Sequence, residues 1–263
     1  MFRIKDQLQR IVTLVHHPPR SIVSLVPSQT ELLFDLGLDK EVAGITKFCV
    51  HPEQWFRQKQ RVGGTKNVDI AKVKALQPDL IIANKEENVK EQVEALSAFA
   101  PVWISDVNTL VDALAMINTI GAITARETRA AEITTRISQF FKQPVGNDRK
   151  IRVCYLIWKD PYMTVGGDTF ISDMLAYCGF ENVCVAKNRY PVITVAEIKD
   201  LNPAVVLLSS EPFPFKEKHI DELKHVLPGV KVMLADGEMF SWYGSRLLYA
   251  ADYFRKLRTV LSD

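Results

Sequence analysis

Apolar positions along the chain alternate between short unbroken runs and stripes at helical spacing, the signature of successive βα units. Residues 10–15 and 21–26 are β-branched runs on either side of His16, His17, Pro18 and Pro19, which predicts two extended segments around a breaker. After the second run, Pro27 to Glu31 lead into Leu32, Leu33 and Leu36 on one helical face, with Gly37 as the stop. Ser28 and Glu31 have capping-box spacing, so a helix is predicted to start there with its free N–H groups aimed past the strand end. A β-like segment at 42–45, a loop with Cys49 and His51, and a short helix at 70–76 ended by Gln77, Pro78 and Asp79 follow. The run 80–83 is short and wholly apolar, as expected of a strand covered on both faces in a parallel sheet. A helix at 89–98 and a strand at 102–105 continue the alternation.

Between 109 and 142 the pattern becomes one long helical stretch, broken near Gly121, whose second part at 126–142 carries Ile133, Ile137, Phe140 and Phe141 at helical spacing. Pro144, Val145, Gly146, Asn147 and Asp148 mark a boundary, and a strand at 151–157 opens a second set of βα units running to a final helix at 249–261. The expected fold is α/β, with two Rossmann-like lobes at 1–124 and 144–263, a connecting helix at 125–143 and a ligand cleft between the lobes.

An internal repeat supports that division. Segment 71–86 aligns with 196–211 at a constant offset of 125 residues, and each copy runs through a proline (Pro78, Pro203) and an apolar strand to a glutamate, Glu86 or Glu211. The apolar segment ending at Asp106 has a weaker echo in the one ending at Asp236. Two copies of a long unit fit a two-lobed molecule better than a solenoid.

In open α/β sheets ligands bind beyond the carboxyl ends of the strands. That rule selects Ser28, Gln29, Glu86 and Glu87 from the first half, and Trp158, Tyr162, Glu211, Phe213, Phe215, Trp242, Tyr243 and Arg246 from the second. The six aromatics suit stacking on a flat or bulky ligand, or else packing beneath their own loops, and Arg246 suits a ligand carboxylate or phosphate. Glu86 and Glu211 could ligate a hard metal, bond ligand amides or hydroxyls, act as an acid–base pair, or stand solvated at strand ends. Cys49 and His51 make at most half a metal site. His16 and His17 read as an exposed turn, and His219 and His225 as residues of a surface helix.

Composition narrows the function classes. Lys and Arg number 33 against 31 Asp and Glu, a net charge of +2 without a run of like charges, so nucleic acid is not an expected partner. No stretch is long enough for a membrane span, and four cysteines without a CxxC pair predict buried thiols. The glycine pairs at 63–64 and 166–167 fit neither phosphate-loop pattern, and no nucleophile elbow is present.

The chain resembles the class III substrate-binding proteins of ABC importers, the helical-backbone metal receptors for cobalamin, ferric siderophores and haem. The resemblance covers almost the whole chain and rests on segments 21–31, 62–67 and 75–88, on Thr124 to Glu127, and on Trp242 to Arg246. It implies two lobes on one long rigid helix, a metal chelate as ligand, cobalamin or another corrinoid before an iron siderophore or haem, no intrinsic cofactor, and no catalysis. A chelatase-like enzyme of tetrapyrrole or corrinoid metabolism is the alternative that shares this architecture.

The resemblance also implies a permease that docks on one exposed glutamate per lobe, yet Ala71 and Ala196 occupy those positions, with Asp69 and Glu197 nearby. It implies a periplasmic or cell-surface location. Met1 stands only a few residues before the segment that usually opens the mature domain, which leads to the expectation of a leaderless, cytoplasmic carrier.

Overall fold

The computed structural model describes residues 1–142 and 150–262, and the boundary expected at 144–148 lies outside them. By its contacts the chain divides into two units. The first comprises Met1–Val107, Val111–Ile137 and Tyr243–Arg246; the second holds Asn108–Leu110, the described residues from Ser138 to Trp242, and those from Leu247 onward.

The first unit opens with strands β1 (Phe2–Lys5) and β2 (Ile11–Leu14), which pair antiparallel. It continues through β3 (Ile22–Ser24), α1 (Pro27–Asp35), β4 (Val42–Ile45), α2 (Glu53–Gln58), β5 (Gln60–Arg61), α3 (Ile70–Ala75), β6 (Leu80–Asn84), α4 (Lys90–Ser97) and β7 (Val102–Ser105). Helices α5 (Leu110–Ile123) and α6 (Glu127–Phe141) follow, with Leu110 and the last residues of α6, from Ser138, counted in the second unit. Strands β3 to β7 form a parallel sheet in the order β5-β4-β3-β6-β7, so the direction of winding reverses between β3 and β6. All five residues of β6 are buried, as the unbroken apolar run requires of a central strand covered on both sides. Ile81 and Ala83 pack with Val23, Val73, Val93 and Ile104 on one face, under α3 and α4.

The second unit runs β8 (Ile151–Trp158), β9 (Met163–Thr164), α7 (Phe170–Tyr177), β10 (Phe180–Asn182), α8 (Val195–Leu201), β11 (Val205–Ser209), α9 (Glu217–Val226), β12 (Lys231–Ala235), α10 (Gly237–Ser241) and α11 (Leu247–Ser262). Its parallel order is β10-β8-β11-β12, with β9 added antiparallel to β8, and the winding reverses between β8 and β11. Cys154, Leu156, Val206 and Leu208 share one apolar face with Ile198, Ile220 and Leu223 of the covering helices.

The sequence repeat is a structural repeat. Helix α3 and strand β6 match α8 and β11, and at equivalent positions just after the two helices Gln77 and Asn202 both take left-handed backbone with φ of 45° and 47°.

Three expectations need correction. Strand β1 was not anticipated, because four residues alternating apolar and charged are too few to stand out. The capping box at Ser28 and Glu31 is not formed: α1 starts with Pro27 at its first position, which carries no N–H to cap, and Glu31 is paired elsewhere. The helical break is not at Gly121 but at Ala125, whose φ is 53°, with the amide of Arg126 donating to the Gly121 carbonyl at 2.7 Å.

Gly121 instead lies inside α5, where a Cβ would sit 2.4 Å from that of Ala130 on α6. Helix propensity alone favours alanine there by about 1 kcal/mol. Overpacking costs about 1–3 kcal/mol. Gly121→Ala is therefore expected to lower stability in urea denaturation, and a raised midpoint would show that α5 and α6 separate freely.

Candidate functional site

The carboxyl ends of the strands flanking each winding reversal carry the candidate residues, a position set by topology alone. In the first unit these are the ends of β3 and β6. Ser28 and Gln29 stand in the first turn of α1 and are buried, with Gln29 Nε2 donating to Ser105 Oγ at 2.5 Å. The Ser28 Oγ, Gln29 Oε1 and Ser245 Oγ atoms are buried without a hydrogen-bond partner. Asn84, the last residue of β6, organises the turn behind it. Its Oδ1 accepts the amides of Glu86 and Glu87 at 2.8 and 3.0 Å, and its Nδ2 donates to Ser105 Oγ at 3.0 Å. Asn88 Oδ1 in turn accepts the Asn84 amide at 2.8 Å. Lys66 Nζ donates to the Glu86 carbonyl.

Residues 243–246 close over the start of α1. Gly244 lies against the Ser28 carbonyl, so tightly that a Cβ there would be 2.5 Å from that oxygen. On one side Tyr243 Oη donates to Glu87 Oε1 at 2.9 Å. On the other Arg246 grips Glu31 with both ends of its fork, at 2.7 and 3.0 Å. Arg246, expected to meet a ligand anion, is thus engaged by a carboxylate of its own chain. Burial pushes the Glu31 carboxyl above its usual range, although Arg246 draws it down.

In the second unit the end of β11 repeats the device. Ser209 takes the place of Asn84, its Oγ accepting the Glu211 amide at 3.4 Å and the Tyr155 hydroxyl at 3.1 Å. The Glu211 carboxylate accepts from Ser241 Oγ at 2.5 Å and from the Trp242 indole at 3.0 Å. Burial raises its pKa, against the pull of those two donors.

The six aromatics separate into two groups. Trp242, Tyr243 and Phe215 are buried, and the first two aim their polar atoms at glutamates. Trp158, at the end of β8, is 41% exposed and stands edge-on to the half-buried Phe213 with ring centroids 5.8 Å apart. Tyr162 packs partly buried on the apolar face of the sheet.

His219, expected on a surface helix, is buried behind Phe213 and Phe215, because its ring completes their cluster; His225 is exposed as expected.

Cys49 does not present a thiolate. It is buried beneath Thr30 and Thr46, and burial pushes its pKa up to about 11. All four cysteines are free and buried. Among the described residues, no group of three or more His, Cys, Asp and Glu is arranged to hold a metal ion. His16 and His17 line an open hollow of about 680 Å³ with Arg20, Lys40 and Glu41, at the amino ends of β3 and β4 and so away from the other candidates. Sequence reasoning missed Phe48, 51% exposed just beyond β4 with Lys47 over its ring, because Cys49 and His51 drew attention within the same loop.

A family model described as periplasmic binding protein matches residues 22–231. The chain belongs to that family. Periplasmic binding proteins are substrate-binding proteins rather than enzymes. Over 198 residues the chain is 25% identical to a vitamin B12-binding protein of Vibrio campbellii, covering 73% of this chain and 71% of that one. Another vitamin B12-binding protein, of Pectobacterium carotovorum, is 24% identical over 96% of this chain and 93% of its own. Among solved structures, the periplasmic vitamin B12 binding protein of Vibrio cholerae superposes with a TM-score of 0.78 at 19% identity, covering 94% of this chain and 99% of that one. Among the described residues, no helix of this periplasmic binding protein is long and apolar enough to cross a membrane.

Proposed function

We propose that the protein captures a metal chelate, a corrinoid before an iron siderophore or haem, for delivery to an ABC permease. The observation that carries this reading is its similarity to vitamin B12-binding relatives along most of its length. The site chemistry supports it. Trp158 offers a half-exposed indole braced by Phe213, suited to the apolar face of a macrocycle. A permease would meet an altered pair of docking positions, since Ala71 and Ala196 are exposed and the nearby carboxylates are committed locally. Asp69 caps α3 by accepting the Lys72 amide, and Glu197 closes a capping box with Thr194 while pairing with Lys187, which holds its pKa down to about 2.

Titration with cyanocobalamin, haemin and a ferric siderophore tests the ligand class. Dissociation constants all weaker than ~100 μM, or about −5.5 kcal/mol, would sink the reading. Trp158→Ala is expected to weaken binding of the preferred chelate by roughly tenfold, since one aromatic stacking contact is worth about 0.5–1.5 kcal/mol beyond its buried area. Unchanged affinity would remove Trp158 from the site.

A further inference from the structure

The pairing of a buried histidine with the exposed aromatic edge of the second unit is not explained by packing alone. His219 is the third residue of α9, and its Nδ1 accepts the amide of Lys216, the residue that caps the helix, at 2.9 Å. A glutamate usually fills this role in a capping box. The bond requires an unprotonated Nδ1, so His219 here is a neutral imidazole carrying its proton on Nε2. Its ring packs on Phe213 and on Phe215, with centroids 5.4 Å away in each case, and Phe213 in turn meets Trp158.

We propose that neutral His219 is the positioning residue for this aromatic edge, and that protonation at Nδ1 releases the turn at 212–216 together with Phe213 and Trp158. The inference rests on the ligand reading above only where it predicts affinity.

Protonation would turn Nδ1 from acceptor to donor, facing the Lys216 N–H that it now binds, and would place a cation among apolar rings. The charged groups around the ring are Lys159 from the end of β8, Lys216 of the turn, and Lys218 and Glu222 of α9. Lys159 and Glu222 pair with each other, so the one carboxylate among these groups is already engaged by a cation. Burial, and then Lys159, lower the His219 pKa. The sign follows. With the closed-state pKa depressed below that of an opened turn, the closed state holds its full advantage above about pH 6.5 and loses it as pH falls.

Cyanocobalamin does not itself titrate in the relevant range, so its affinity can be followed from about pH 7.5 to about pH 5 in the parent and in His219→Asn. Asparagine places an acceptor near the Nδ1 position and cannot be protonated there; His219→Gln serves as a second variant with the same property. The parent is expected to lose about tenfold in affinity, and the variants less than about twofold. Parallel losses in parent and variants, or a flat parent profile, would overturn the proposal. Acrylamide quenching of Trp158 emission, taken as the difference from Trp158→Phe, reads the same event without ligand. Accessibility should rise with acid in the parent and stay level in His219→Asn. If no cobalamin binds at any pH while quenching follows this pattern, the ligand reading fails and the positioning role stands; quenching that is equal in both proteins ends the positioning role.

Discussion

Replacing Arg246 with alanine is expected to cost about 3–5 kcal/mol of stability, the range seen when one partner of a buried ion pair is removed. The Glu31 and Arg246 side chains are only 13% and 12% exposed, and the pair is bidentate, so neither charge can recover its lost hydration by turning outward. Intact, burial outweighs the guanidinium beside Glu31, since the Glu31 pKa is raised despite it. Without Arg246, only the cost of burial grows. The pH dependence checks the cause. A carboxyl whose folded pKa lies above its unfolded value loses stability as pH rises between the two, so the Arg246→Ala deficit should shrink toward pH ~4.5. Adding Glu31→Gln should restore much of the loss at neutral pH. Urea denaturation at two pH values measures both effects, and a deficit under about 1 kcal/mol at neutral pH would mean that the pair is solvated.

The same pair shows where sequence reading stops. The central strands were legible because β6 and β11 are five-residue buried runs with little else they could form, and the repeat tied them to their helices. Placement of Glu86 and Glu211 at equivalent strand ends was legible for the same reason. The partner of Arg246 was not, because Glu31 lies 215 residues away and no periodicity links them. Nor could composition separate Trp158 from Trp242. Trp158 ends β8 and Trp242 follows α10, each beside further aromatics, yet one is half-exposed and the other is buried with its indole N–H on Glu211. The burial of His219 was hidden for a further reason, since a histidine on a charged helix reads as surface until the aromatic turn folds back over it.

Gly244→Ala is expected to cost about 2–4 kcal/mol, more than overpacking alone, because it disturbs the bonds on both sides of it. The new Cβ would lie 2.5 Å from the Ser28 carbonyl oxygen and 3.4 Å from the Leu32 Cβ. These are backbone and near-backbone atoms of α1, which cannot turn aside as the end of a flexible side chain would. The segment itself must therefore lift, by roughly an ångström, to reach an ordinary contact distance. That displacement is enough to break the Tyr243 bond to Glu87 and to stretch the Arg246 fork from Glu31, now 2.9 and 2.7 Å respectively. The prediction therefore concerns coupling as well as size. If Gly244 acts by holding Arg246 in place, the Gly244→Ala, Arg246→Ala double variant should lose less than the sum of its singles by at least about 1 kcal/mol. Strict additivity in that cycle would show that the segment yields locally at residue 244, leaving the ion pair intact.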